Sequence, residues 1–249
     1  MKKIIIRADD LGYSEGINYG IKKAVCDGLI NTVGVMTNME EAANGVRLLN
    51  GVNVCFGQHT NICVGKPIID AKKIPSLVGP DGNFKSSTEY RSAKEDFVVL
   101  DEVILEIEAQ YERFKEIVGR EPEYFEGHAV ASANFFKGLE IVAERHGLKY
   151  SAMSFDGSPV KVGNTNMYIH IDSMMPDYDP MASIKKMIEN AHENACDMYV
   201  CHPGYIDAYI LKNSSMTTPR PLEVEAVCDP KLREWILRQD VELVTYNDL

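Results

Sequence analysis

The chain has 249 residues, 45% of them apolar and 25% charged, and a formal net charge of −11. That length and apolar share suit one large α/β domain with a sizeable core. The acidic balance argues against a general nucleic-acid binder and against an anionic membrane surface, and leaves a neutral substrate such as a sugar open.

The N-terminal apolar run covers only residues 4–6, too short for a signal-peptide core or a spanning helix, and no later stretch is apolar enough to cross a membrane. The expected location is the cytoplasm. The six cysteines, Cys26, Cys55, Cys63, Cys196, Cys201 and Cys228, form no CxxC pair. They read as reduced, mostly buried thiols rather than disulfides or a cysteine zinc site.

In chain order, an apolar strand is predicted over residues 4–8, then a helix over 15–27 with Ser14 as N-cap and Gly28 as its stop. A strand over 32–37, a helix over 40–50 and a strand over 52–58 follow. The polar segment 61–96, with Gly65, Pro67, Pro75, Pro80 and Gly82, is too long for an ordinary βα connection. It reads as a lid or substrate-binding loop in which Phe84, Tyr90 and Arg91 close over a sugar. The alternatives are a disordered insertion, or a surface loop packed on the barrel or on a second subunit.

Leu100, Val103, Ile104, Ile107, Tyr111, Phe114 and Val118 recur at helical spacing and predict a helix ended by Gly119. A strand over 124–127, a helix over 135–146 closed by Gly147, and strands over 149–153 and 167–171 come next. A helix over 182–194, a strand over 198–202, a helix over 231–238 and a strand over 241–244 complete the series. Strand–helix alternation implies parallel strands with crossover helices. Seven or eight such units predict a closed or nearly closed barrel, with an open doubly wound sheet as the alternative. No linker, repeat or low-complexity tract interrupts residues 1–249, so a single domain is expected.

Polar residues sit at matching places in this pattern. Asp9 and Asp10 follow the first predicted strand, His59 the third, His128 the strand at 124–127, and His202 the strand near 198–201. In a parallel β/α fold these C-terminal strand ends share one face. Singly, each residue has a bland role: a helix cap or turn for the aspartates and His202, a hydrogen-bonded core side chain for His59 and His128. Together, two carboxylates and three imidazoles are the donor types of a divalent cation that keeps positions open for water and substrate. His146 and His192 read as helix-surface residues.

The segments ADDLGYSEGIN at 8–18, GQHTNI at 57–62, SLVGPDGNF at 76–84, EGH at 126–128 and CHPGYID at 201–207 resemble the YdjC-like (ChbG-type) carbohydrate deacetylases over essentially the whole chain. The resemblance implies a distorted (β/α) barrel and a metal-dependent hydrolase that removes N-acetyl groups from an amino sugar or short oligosaccharide. It implies Asp10, His59 and His128 as metal ligands, Asp9 as general base, and His202 as general acid or stabiliser of the intermediate. The expected cofactor is a divalent ion, Mg²⁺ or Zn²⁺, with Mn²⁺ or Co²⁺ also compatible. The expected partners are a small sugar and a second copy of the chain, with neither nucleic acid nor membrane. The chain departs from the family at its later motif, where a histidine-rich run opening with aspartate is replaced by Glu126, Gly127, His128, Ala129, Val130, Ala131 and Ser132. The competing readings are a metal hydrolase of another amide or ester bond, including a cyclic amide or a phosphoester with Arg7, Arg91 and Arg220 as candidate phosphate binders, and a non-catalytic sugar-binding relative.

Overall fold

The computed structural model describes residues 2–249. Among them the strands are β1 (Lys2–Leu11), β2 (Thr32–Val35), β3 (Cys55–Thr60), β4 (Tyr124–Gly127), β5 (Lys149–Tyr150), β6 (Val160–Val162), β7 (Thr165–His170), β8 (Cys196–Cys201) and β9 (Val241–Leu243). The helices are α1 (Glu15–Cys26), α2 (Ala42–Leu48), α3 (Ser87–Ser92), α4 (Leu100–Val118), α5 (Ala133–His146), α6 (Pro180–Glu189), α7 (Ala208–Asn213), α8 (Pro219–Cys228) and α9 (Pro230–Ile236). No helix among the described residues is long and apolar enough to cross a membrane.

The strands lie in the order β5-β4-β3-β2-β1-β8-β7-β6, with β9 pairing the start of β1. All pairs are parallel except the β6–β7 hairpin. The sheet curls into a nearly closed, distorted (β/α) barrel, as the resemblance implied. Strict strand–helix alternation fails at the hairpin, whose first strand the hydrophobic pattern did not reveal. The gap between β5 and β6 is filled by the C-terminal segment. Lys149 Nζ donates to the Tyr246 carbonyl, and Leu249 lies against Gly163.

The barrel interior is a compact cluster of Ile5, Tyr124, Met167, Met198, Val200 and Tyr246. The Tyr124 and Tyr246 rings stack at 3.9 Å. Outside, one apolar layer joins the sheet to α1, α2, α6 and α9, and a second joins it to α4 and α5. Helix ends follow local chemistry. Ser14 and Ser132 accept from backbone N–H groups to cap α1 and α5, and Gly119 and Gly147 close α4 and α5 in the left-handed conformation.

The 61–96 segment is built into the core and does not form an aromatic lid. Ile62, Ile74, Leu77, Phe84 and Tyr90 are buried with residues of α4 and α5, and the Tyr90 hydroxyl donates to the Ile62 carbonyl. Gln110 on α4 holds both the N–H and the carbonyl of Asn61, pinning the start of the segment. Phe84 and Tyr90 therefore cannot close over a sugar, because their rings already fill apolar space. Arg91 is exposed and donates to Thr88. Of the two histidines expected on helix surfaces, His146 donates through Nε2 to Glu108 on α4, and His192 lies beyond the end of α6 against Asp197.

One close approach fixes α1 over the loop that follows β8. A Cβ on Gly20 would overlap the backbone of Gly204. Gly20→Ala is expected to destabilise the protein by about 1–3 kcal/mol through overpacking, read as a lowered Tm in thermal unfolding.

Candidate metal centre

The site begins with an irregularity in β1. The strand runs to Leu11, so Asp9 and Asp10 lie inside it rather than after it, because its pairing with β2 continues past a register shift between Ala8 and Leu11. At the shift Asp10 takes φ of 75°, a left-handed conformation that few residues other than glycine adopt. Adjacent side chains of a regular strand point to opposite faces; the bulge lets both aspartates face the same barrel mouth. His59 likewise lies inside β3, near its end, while His128 and His202 directly follow β4 and β8.

Asp10 Oδ1 lies 3.2 Å from His59 Nε2 and 3.1 Å from His128 Nδ1, and those two nitrogens are 2.9 Å apart. Asp10 is fully buried, and its Oδ1 has no hydrogen-bond partner among the described residues. One carboxylate oxygen, left without a hydrogen bond, thus converges with two imidazole nitrogens that lie within hydrogen-bond distance of each other. That donor set fits a borderline divalent cation, whose ligands at about 2.0–2.2 Å sit at comparable spacings. The other ring nitrogen of His59 is held by Glu126, which turns Nε2 toward the convergence, an outer-shell carboxylate arrangement common at metal-binding histidines. Gly34 on β2 leaves the necessary room: a Cβ there would lie 3.0 Å from His59 Cβ, 3.1 Å from a Glu126 oxygen and 3.2 Å from Asp9 Oδ1.

Two buried arginines hold the carboxylates. Beneath the site, Arg7 Nε lies 2.7 Å from Asp9 Oδ1 and its terminal nitrogen 2.8 Å from Asp9 Oδ2, with Glu126 at 3.4 Å. Asp9 Oδ2 lies 4.0 Å from His59 Nδ1. Asp9, His59 and Glu126 form a second convergence of possible ligands, but Arg7 already neutralises it. Above, Arg220 on α8 donates to Asp10 Oδ2 at 2.8 Å and to the His202 carbonyl at 3.3 Å. Three residues further along α8, Glu223 accepts from the His202 N–H at 2.6 Å and from the Tyr178 hydroxyl at 2.7 Å. One helix thereby grips both the candidate ligand Asp10 and the backbone of His202. His202 Nδ1 is buried and has no hydrogen-bond partner among the described residues.

The replaced histidine run has taken structural work. Val130 is buried in the layer against α5, and Ser132 caps α5 and donates to both Asp96 oxygens at 3.0 and 2.9 Å. Neither supplies a ligand. Sequence reasoning missed Glu126, Glu223 and the ligand-holding role of Arg220. The glutamate beside His128 was visible in the EGH motif; nothing in the pattern of residues 214–228 marked Glu223.

Burial raises the carboxyl pKa of Asp10, but the Arg220 guanidinium and then His128 reverse this and hold it well below the usual range. Burial lowers the imidazoles, yet the charges of Glu126 and Asp9 drive His59 well above its ordinary value, and Asp10 drives His128 to about 9. Burial dominates at His202 and lowers it to about 4, so its ring is neutral at pH 7.

Without a metal, the raised histidines add stability that is complete below an unfolded value of 6.5 and is lost as pH climbs through about 9. A bound cation requires those same nitrogens without protons, so its stabilisation grows over that window. Thermal unfolding with saturating zinc and with a chelator is expected to show a Tm gap that widens from pH 6.5 to 9. Arg220→Met leaves Asp10 buried without its partner, and a loss of roughly 3–5 kcal/mol is expected in denaturant unfolding of the metal-free protein.

A (β/α) barrel whose strand ends bring together a carboxylate, two imidazoles and two further polar groups defines a class of enzyme-like barrels with a site able to hold a metal. The chain belongs to the YdjC-like protein family, whose sequence profile matches residues 3–238. It is 30% identical to carbohydrate deacetylase 2 of Listeria innocua over 99% of this chain and 98% of that protein. It is 26% identical to a chitooligosaccharide deacetylase of Salmonella heidelberg, over 99% and 98% of the two chains. A solved structure from Enterococcus faecalis, named for cellobiose-phosphate cleavage, superposes with a TM-score of 0.84 at 22% identity, covering 99% of this chain and 98% of that one. That likeness establishes the shared fold.

Proposed function

We propose that residues 1–249 work as a single metal-dependent deacetylase domain that hydrolyses the N-acetyl group of an amino sugar or short oligosaccharide in the cytoplasm. The observation that carries this reading is the convergence of Asp10, His59 and His128 on one unsatisfied point, with Asp9 and His202 beside it. Relatives named as carbohydrate and chitooligosaccharide deacetylases across the full chain support the substrate class. The buried cysteines Cys55, Cys63, Cys196 and Cys201, all free thiols, suit a reducing compartment.

Asp10, His59 and His128 would hold the cation; two nitrogens and one oxygen suit Zn²⁺, with Mg²⁺, Mn²⁺ or Co²⁺ decided by metal analysis. When bound, it supplies polarisation of the acyl carbonyl and a more acidic water. Asp9 takes the proton of the attacking water. Arg7 fixes the Asp9 carboxylate by a hydrogen bond to Oδ2 and an ion-pair contact at Oδ1, and Oδ1, with no hydrogen-bond partner among the described residues, keeps lone pairs for that proton. His202 starts the turnover neutral, so the proton it gives to the departing amine is the one Asp9 removed from the water, passed on to the imidazole so that Asp9 ends the cycle ionised again. Glu223 and Arg220 hold its backbone while this happens.

Hydrolysis of a phosphoester is disfavoured by the same contacts. Arg7 and Arg220 are committed to Asp9 and Asp10, which leaves neither guanidinium free for a phosphate. Asp9→Asn is expected to lower kcat for acetate release by about 10²–10⁴-fold while metal content stays at the wild-type level. Unchanged turnover in that metal-replete variant would remove Asp9 from the base role.

A further inference from the structure

Residues 244–249 close the barrel where β5 and β6 part, and several contacts fix their path. The Val244 N–H donates to the Ile4 carbonyl on β1 at 2.9 Å. Lys149 Nζ donates to the Tyr246 carbonyl, and Lys3 Nζ to the Asp248 carbonyl at 2.8 Å. Thr245 and Asp248 cap the short turn between them reciprocally. This path drives the Tyr246 side chain into the barrel interior, where it is fully buried and its ring stacks on Tyr124. Gly57 on β3 makes room for the stack, since a Cβ there would overlap the Tyr124 ring.

The stack places one hydroxyl beneath the candidate site. Tyr246 Oη accepts from Arg7 Nη1 at 3.1 Å and donates its own proton to Ser151 Oγ at 2.9 Å. The other two nitrogens of that guanidinium face Asp9: Nε lies 2.7 Å from Oδ1, and Nη2 donates to Oδ2 at 2.8 Å. A guanidinium is planar, so a hold on its third nitrogen sets the plane in which the first two meet the carboxylate. Arg7 is buried, and a buried donor left without an acceptor is costly. Removing the Tyr246 hydroxyl therefore obliges the guanidinium to turn toward another acceptor. The Tyr124 hydroxyl, in the same stack, is buried and has no hydrogen-bond partner among the described residues. The two tyrosines share a packing environment and differ in whether the hydroxyl holds Arg7.

We propose that Tyr246 is a positioning residue for Asp9, acting through Arg7: its hydroxyl fixes the guanidinium so that the Asp9 carboxylate presents Oδ1 to the attacking water. The proposal rests on the deacetylase reading, in which Asp9 is the base. Tyr246 belongs to neither group of converging ligands. Its loss slows proton transfer and leaves the binding of substrate and cation in place.

The test uses the full chain loaded with zinc. Tyr246→Phe, which keeps the stacked ring, is expected to lower kcat for acetate release from short N-acetylglucosamine oligomers by about 10–100-fold, with KM and bound zinc at the wild-type level. Tyr124→Phe, which deletes the unbonded hydroxyl from the same stack, is expected to stay within about twofold of the wild-type kcat. In an Asp9→Asn background, Tyr246→Phe is expected to cost less than about a further twofold, because the group it positions is already gone. Wild-type kcat in Tyr246→Phe, equal losses from the two tyrosine changes, or a full additional loss on top of Asp9→Asn would overturn the proposal. Should the wild-type protein release no acetate, the deacetylase reading fails, and denaturant unfolding of the metal-free single and double variants decides whether Tyr246 acts on Asp9. Stability losses from Tyr246→Phe and Asp9→Asn that fall short of additive uphold the linkage; additive losses sink it.

Discussion

A carboxylate with no access to water has to be surrounded by groups that justify its charge, and the architecture of the barrel mouth follows from satisfying Asp10. Burying an ion in a medium of low dielectric costs several kcal/mol unless it is paired and hydrogen-bonded. One Asp10 oxygen takes the Arg220 guanidinium, and the other faces two imidazoles. This division leaves the second oxygen unsatisfied by hydrogen bonds and in reach of a cation. The β1 bulge, the positive φ at Asp10 and the absence of a side chain at Gly34 are the backbone conditions for that arrangement.

The surrounding charges form two tiers with separate tasks. The lower tier, Arg7 with Asp9 and Glu126, is anchored in the barrel interior, where the Arg7 guanidinium also reaches the Tyr246 hydroxyl. It sets the orientation of Asp9 and, through Glu126, of His59. The upper tier, Arg220 and Glu223 with Tyr178, hangs from α8 and governs Asp10 and the His202 loop. Each tier holds one candidate ligand and one candidate proton-transfer group. A disturbance in either therefore reaches both a candidate metal ligand and a candidate proton-transfer group.

Much of this was legible in the sequence because the relevant signals are short-range. Alternating apolar runs announced the strands, and Asp9, Asp10, His59, His128 and His202 stood near strand ends where a parallel fold must gather them. The long amphipathic pattern of α4 was equally plain. What stayed hidden depends on distant partners. No element was predicted between residues 203 and 230, so α8 and its two site-holding side chains went unrecognised. Arg7 sits in an apolar strand, and only the closed barrel shows that it faces two carboxylates. The 61–96 segment has no regular period, since its apolar side chains fill gaps against α4 and α5 one at a time. Its burial could not be read from spacing, and a polar composition suggested a lid.

The position of β1 at the centre of the sheet has a consequence for how the protein is made. Its neighbour β2, with β3 beyond it, leaves the ribosome soon after it, but β8 and β9, which pair along its other edge and its beginning, come from the far end of the chain. Until they arrive, β1 is an unfinished apolar edge, and Arg220 has not yet been translated to neutralise Asp10. The charge-balanced cluster around Asp10 can therefore assemble only after most of the polypeptide has emerged, and until then the nascent chain carries an exposed apolar strand edge open to wrong pairing.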